Sequence, residues 1–139
     1  MNLITFTDKG LFCEQGNFYI DPWKPVERAI ITHAHSDHAY PGHQYYLTHP
    51  HSKPILLRRL GVNNYETLDW GVTINIHGVT VSLHPAGHII GSSQVRLEYK
   101  GEVWVVSGDY KTENDDLSGT FTPIRCNTFI TESTFGLPI

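Results

Sequence analysis

Ala29-Ile30-Ile31-Thr32-His33-Ala34-His35-Ser36-Asp37-His38 is the stretch on which the reading of this chain turns. Four strand-favouring residues bounded by polar ones fit a short buried strand, and open α/β sheets bind their ligands at the carboxyl ends of such strands. His33 stands at that end. Residues two apart in extended chain point to the same side, so His33 and His35 converge on one ion if the strand conformation persists past Thr32. Asp37 and His38 follow in what reads as the first turn of a helix, with Ser36 as its cap. Imidazole suits zinc and carboxylate adds a hard, charged ligand, so H-x-H-x-D-H is a donor set for one or two divalent transition metals. The bland alternative is a solvated polar loop after a core strand. It must place four ligand-type residues within six positions by chance.

Outward from this run, the amino-terminal side reads as an antiparallel meander: strands at Leu3 to Thr7, Leu11 to Cys13 and Phe18 to Ile20, with a turn at Gln15-Gly16-Asn17. Asp21 ends the third strand, and Pro22 and Pro25 stop the ladder before the Ala29 strand. On the carboxyl side, Tyr45 to Thr48 reads as a strand. Ser52 then caps a helix to about Leu60, with Pro54 in its first turn, Ile55, Leu56 and Leu60 as its apolar stripe and Gly61 as its stop. Beyond Tyr65 nearly everything is strand. Val72 to Ile76 and Val79 to Leu83 alternate around His77-Gly78, and Val95 to Tyr99 and Val103 to Ser107 flank Lys100-Gly101, which makes two hairpins. Val103-Trp104-Val105-Val106 is apolar on both faces and should be covered on both sides. Phe129 to Thr131 is a last short strand.

Two more ligand-type residues follow strands. His88 comes after the Val79 strand between Gly87 and Gly91, which let backbone approach an ion closely, and Asp109 comes after the Val103 strand. Either alone is an ordinary turn residue. Three strands that each deliver a metal-type residue just past their end make a pattern by which a folded site gathers ligands from distant sequence.

The 139 residues bound the chain to one ordinary domain, and 40% apolar content is enough for a core. A formal charge of −4 means the chain is not globally basic, so a nucleic-acid surface would have to be local. Lys24 and Arg28, the Lys53, Arg58, Arg59 group and Lys111 are its possible sources, each also an ordinary solvated charge. Cys13 and Cys126 are too few and too far apart for a disulfide framework and read as buried, reduced thiols, which suggests the cytoplasm. The amino terminus lacks the pattern of a secretory signal, and no window approaches the ~20 apolar residues of a membrane span.

At these residues the chain resembles the metallo-β-lactamase fold and, within it, the β-CASP nucleases, nearest to the ligase-associated DNA exonuclease group. The resemblance rests on Asp21-Pro22-Trp23, Ile31 to Ala39, Pro85 to Val95, Val103 to Lys111 and Thr131 to Pro138, stretches spread so that it covers nearly the whole chain. It implies an α+β fold, the amino-terminal half of a metallo-β-lactamase-like αββα sandwich, with mixed or antiparallel sheet and a metal site at one edge. It also implies zinc as cofactor, two ions in the full-length protein. His33, His35 and His88 would bind one zinc, Asp37 and His38 the second, and Asp109 would bridge them. Asp21 would orient a ligand histidine from behind, or simply relieve local strain. Glu132, in Thr131-Glu132-Ser133-Thr134-Phe135-Gly136, would hold a later histidine that protonates the leaving oxygen; Asp37, Asp109 and Glu132 are then the catalytic carboxylates.

The function so implied is zinc-dependent phosphodiester hydrolysis, as a DNA exonuclease in repair, with nucleic acid and a DNA ligase system as partners. An RNA-processing nuclease of the same branch is the nearest alternative. Thioester or lactam hydrolysis shares the histidine run but has no use for the Glu132 motif, and a non-catalytic fragment is the remaining class. The family's later histidines, the second half of the sandwich and the β-CASP domain are expected beyond Ile139. On that expectation, the apolar faces of Val79 to Leu83 and Val103 to Val106 would lack partners within 1–139, and the isolated chain would be marginally stable.

Overall fold

The computed structural model describes residues 2–32, 40–60, 64–86, 93–107 and 124–131. Eleven strands fall in two sheets among them. Sheet A runs in spatial order β1 (Thr5–Thr7), β2 (Gly10–Cys13), β3 (Phe18–Ile20), β4 (Arg28–Ile30), β5 (Tyr45–Thr48), β6 (Tyr65–Thr67). Its first three strands pair antiparallel, as the meander expectation has it, and β3 to β6 pair parallel. Sheet B has the order β11 (Thr128–Thr131), β10 (Glu102–Ser107), β9 (Ser93–Tyr99), β8 (Val79–Pro85), β7 (Thr73–Ile76), antiparallel except for the parallel β10–β11 pair.

Turn chemistry sets the local register. The β7–β8 hairpin turns through His77 (φ 50°) and Gly78 (φ 90°), and the β9–β10 hairpin through Lys100 (φ 51°) and Gly101 (φ 81°). Two consecutive positive φ values are what a two-residue hairpin of right-twisted strands needs. At Gln15-Gly16-Asn17 the chain reverses with Asn17 at φ 57°, its N–H donating to the Cys13 carbonyl at 2.8 Å.

The core lies between the sheets. Leu11, Phe18, Ile20, Ile30 and Leu47 from sheet A close over Val79, Val81, Leu83, Val95, Leu97, Trp104 and Val106 from sheet B. This corrects the expectation that the apolar faces of β8 and β10 lack partners: Val79, Val81, Leu83 and Val106 are fully buried within this chain. Both sheets are supplied by these residues, so β8 and β10 pack inward on sheet A and need no further strand on that side. Val105, pointing opposite to Trp104 and Val106, is buried as well, so β10 is covered on both faces. A second cluster sits on the outer face of sheet A, where Val26, Ala29, Ile31 and Tyr46 meet Leu56 of α1 (Lys53–Leu60). The described layers are thus helix, sheet, sheet.

Three local readings need adjustment. The helical segment opens three residues before α1 with a 3-10 turn at Pro50–Ser52, capped by His49, whose side chain accepts from the His51 N–H; Ser52 lies inside that turn. The Leu3 strand begins only at Thr5, Leu3 and Ile4 being buried ahead of the ladder. Cys126 is half-buried, whereas Cys13 is fully buried and burial pushes its thiol up; both are free. Gly61 and the side chain of Leu60 lie outside the described residues.

Candidate functional site

Because β3, β4, β5 and β6 run parallel, Ile20, Ile30, Thr48 and Thr67 end them at one edge of sheet A. In sheet B the register sets Pro85 opposite Ser93 and Ser107 opposite both Gln94 and Thr131, so β8 ends, β9 begins and β10 and β11 end at a single edge. One hydrogen bond ties these edges together: the Ser93 N–H donates to the Thr32 carbonyl at 2.7 Å. The stretches that leave this joint are 33–39, 87–92, 108–123 and 132–139. They carry every expected ligand and catalytic carboxylate.

His33, His35, Asp37 and His38, with His88, Asp109 and Glu132, lie outside the described residues, as do Gly87, Gly91 and Lys111. What is described is the ground they spring from. Among the described residues no group of three His, Cys, Asp or Glu side chains is placed to hold a metal.

Asp21, the one expected site residue within the described set, is buried at 2% exposure and takes a left-handed backbone (φ 48°) at the end of β3. Its Oδ1 accepts from the Thr32 N–H at 2.8 Å and its Oδ2 from the Thr32 hydroxyl at 2.6 Å. The Asp21 N–H in turn donates to the Ile30 carbonyl at 3.0 Å. Aspartate tolerates the left-handed region better than most residues, and short hydrogen bonds to a carboxylate are roughly twice as strong as neutral ones. Asp21 therefore locks Thr32, the residue immediately before His33, against the neighbouring strand. Thr32 was not singled out by the sequence reading, although it sits inside the deciding run; a hydroxyl one residue ahead of a ligand-type histidine was the available signal.

Two further histidines brace the ends of this segment, and neither was anticipated. His43 is buried, and its Nδ1 accepts from the Val26 N–H at 3.2 Å. Next to it the Tyr46 hydroxyl donates to the Tyr40 carbonyl at 2.7 Å, so the chain returning from 33–39 is pinned to β5. Burial pushes the His43 imidazole down, opposed by the Pro22 carbonyl. His49 follows Thr48 at the edge, stacked on Trp70 with ring centroids 3.6 Å apart and edge-on to His51 at 4.6 Å. Burial, with the neighbouring His51 adding to it and Asp69 opposing it, pushes His49 down to about 4, so it is neutral at physiological pH. Trp70 bridges to Leu83 of β8, which makes the stack a second tie between the sheets. His84 sits on the outer face of sheet B with its Nε2 2.8 Å from the Ser82 hydroxyl, and His51 is exposed.

Comparison with known proteins bears on this geometry. No family model matches the chain. A probable DNA ligase of Opitutus terrae is 33% identical over 133 residues, which is 93% of this chain and 13% of that protein. Endoribonuclease YSH1 of Saccharomyces cerevisiae is 34% identical over 73 residues, 51% of this chain and 9% of its own length. A metallo-β-lactamase of Cronobacter sakazakii with a HARLDQ motif superposes over 96% of this chain and 75% of its own, with a TM-score of 0.62 at 12% identity. The chain has the metallo-β-lactamase fold, present as a partial sandwich of two mixed sheets with little helix. Within that fold it is related to the β-CASP nucleases, of which YSH1 is one. It spans only about an eighth of the ligase relative and less of YSH1.

Proposed function

We propose that the full-length protein is a zinc-dependent phosphodiester hydrolase acting on nucleic acid, with DNA as its substrate in repair, exonucleolytic action, a DNA ligase system as partner and a place in the cytoplasm. The observation that carries the reading is the single joint, stitched by Ser93 to Thr32 and braced by Asp21, from which all the stretches bearing ligand-type residues depart. The donor set supports zinc: the four imidazoles and two carboxylates of His33, His35, His38, His88, Asp37 and Asp109 are ligand types that zinc takes. On the family resemblance, His33, His35 and His88 would hold one ion and Asp37 and His38 the other, with Asp109 as a ligand shared by the pair. When bound, a zinc pair supplies a nucleophile at neutral pH and neutralises charge developing on phosphate oxygens. Asp21 positions the ligand run through Thr32, and Glu132 serves proton delivery through a partner histidine.

A ribonuclease is the second reading, favoured by the YSH1 relative. One experiment separates the two. Full-length protein is incubated with single-stranded DNA and RNA of one sequence, labelled at either end, with zinc and with chelator. Zinc-dependent shortening of DNA from one end is the expected result. Cleavage of RNA alone selects the second reading, and turnover of thioester or lactam substrates with both nucleic acids intact overturns both.

A further inference from the structure

At the opposite end of the sandwich from the candidate metal edge, the two sheets part around a cleft of about 500 Å³. Arg28 and Tyr45 begin β4 and β5 and stand side by side in register, and Glu66 on β6 pairs with Leu47. Strand alternation sets Arg28 and Tyr45 on the same inward face as Ile30 and Leu47, and Glu66 joins them through its pairing with Leu47. Ile74 and Ile76 of β7 form the facing wall, with Asn75 between them. The volume lies in the range of small-molecule sites, which combine apolar walls with a few polar groups.

The wall chemistry is specific. Tyr45 is 51% exposed, so its ring presents a free face. Among the described residues the ion pairs are Lys24 with Asp8 and Arg96 with Glu98, so Arg28 and Glu66 share the cleft without neutralising each other or any other described group. An apolar protein segment would bury the Arg28 and Glu66 charges without partners, which is costly. A ligand with a planar ring, a hydrogen-bonding edge and an anionic group answers each wall in turn.

We propose that this cleft binds a nucleotide unit, with the base against Tyr45 and the Ile74–Ile76 wall, the phosphate on Arg28, and Glu66 on the base edge. Arginine pairs with phosphate and base–aromatic stacking tolerates any base, so the site is non-selective for sequence and needs no metal. It is separate from the hydrolytic edge and stands whether or not that edge is catalytic.

The test is calorimetric titration of the full-length protein with dAMP, with deoxyadenosine and deoxyribose 5-phosphate as its two part-molecules and a short single-stranded oligonucleotide as the polymer. The expected result is dAMP binding tighter than either part, weakened about fivefold or more by Tyr45→Ala and by Arg28→Ala, and kept by Tyr45→Phe. Tighter binding of the oligonucleotide marks a strand as the source and tighter binding of dAMP a free nucleotide; both support the cleft. Absence of dAMP binding, or binding unchanged in Tyr45→Ala and Arg28→Ala with circular dichroism unaltered, overturns it. Loss of hydrolysis in metal-edge variants with dAMP affinity intact distinguishes this proposal from the catalytic one.

Discussion

Replacing Asp21 tests the joint between fold and site. The buried carboxylate accepts from the Thr32 N–H at 2.8 Å and the Thr32 hydroxyl at 2.6 Å. A hydrogen bond to a charged group contributes ~1.5 to 3 kcal/mol, and a buried donor left unsatisfied costs a similar amount. Asp21→Ala removes both acceptors and puts alanine at φ 48°, where a Cβ without a compensating local hydrogen bond adds ~1 kcal/mol. The expected loss is about 3 to 5 kcal/mol, a large part of the ~5 to 15 kcal/mol that holds a domain folded. Asp21→Asn keeps one acceptor and a residue suited to the left-handed region, and the Thr32 hydroxyl can rotate to accept from the new amide, so its loss should be only ~1 to 2 kcal/mol. Urea unfolding of the 1–139 chain, followed by circular dichroism, gives both values from the midpoints at a common slope. A loss under ~1 kcal/mol for Asp21→Ala, or equal losses for the two variants, would refute the lock.

The remaining expectations concern histidines and carboxylates. Burial holds His49 near 4, against 6.5 in the unfolded chain, so the unfolded state binds the extra proton between those values. The stability that neutral His49 contributes is therefore full above about pH 6.5 and lost as pH falls toward 4, by ~2 to 3 kcal/mol, and His49→Asn should flatten that slope in unfolding measured from pH 7 to 4. His43 and His84, also pushed down by burial, act in the same direction. In the full-length protein Asp109→Asn should abolish hydrolysis far more severely than His51→Ala or His84→Ala, and equal losses in a phosphodiesterase assay would undo the ligand assignment. Glu132→Gln should lower turnover with zinc content near normal by elemental analysis; loss of zinc would make Glu132 a ligand.

How legible all this was depends on the range of the forces involved. The hairpins at His77-Gly78 and Lys100-Gly101 are written in local turn chemistry, and both turn where the residues say. The strands at Phe18–Ile20 and Tyr45–Thr48 match their apolar runs residue for residue. Pairing across distance left no such mark. That β3 to β6 are parallel, and that β11 crosses over to lie parallel beside β10, depends on how separate segments dock, which no local pattern encodes. The same blindness produced the wrong expectation about β8 and β10: their apolar faces were visible, but not that sheet A supplies their cover. The ligand-type residues stand out in the sequence by their spacing, and all but Asp21 lie outside the described residues. The bracing groups Thr32, His43, His49 and Ser93 do not stand out, because their roles exist only once the two sheets meet.

In the proposed function one edge, where β4, β8 and β10 end, gathers a pair of metal ions. Diffraction from crystals of the zinc-loaded full-length protein, recorded on both sides of the zinc absorption edge, addresses it directly. Two anomalous peaks are expected roughly 3.5 to 4 Å apart, beside the Ser93–Thr32 joint and in contact with His33, His35, His88 and Asp109. Peaks held elsewhere, at Cys126 or at His51 and His84, or no peak at that edge in zinc-saturated crystals, would contradict that placement.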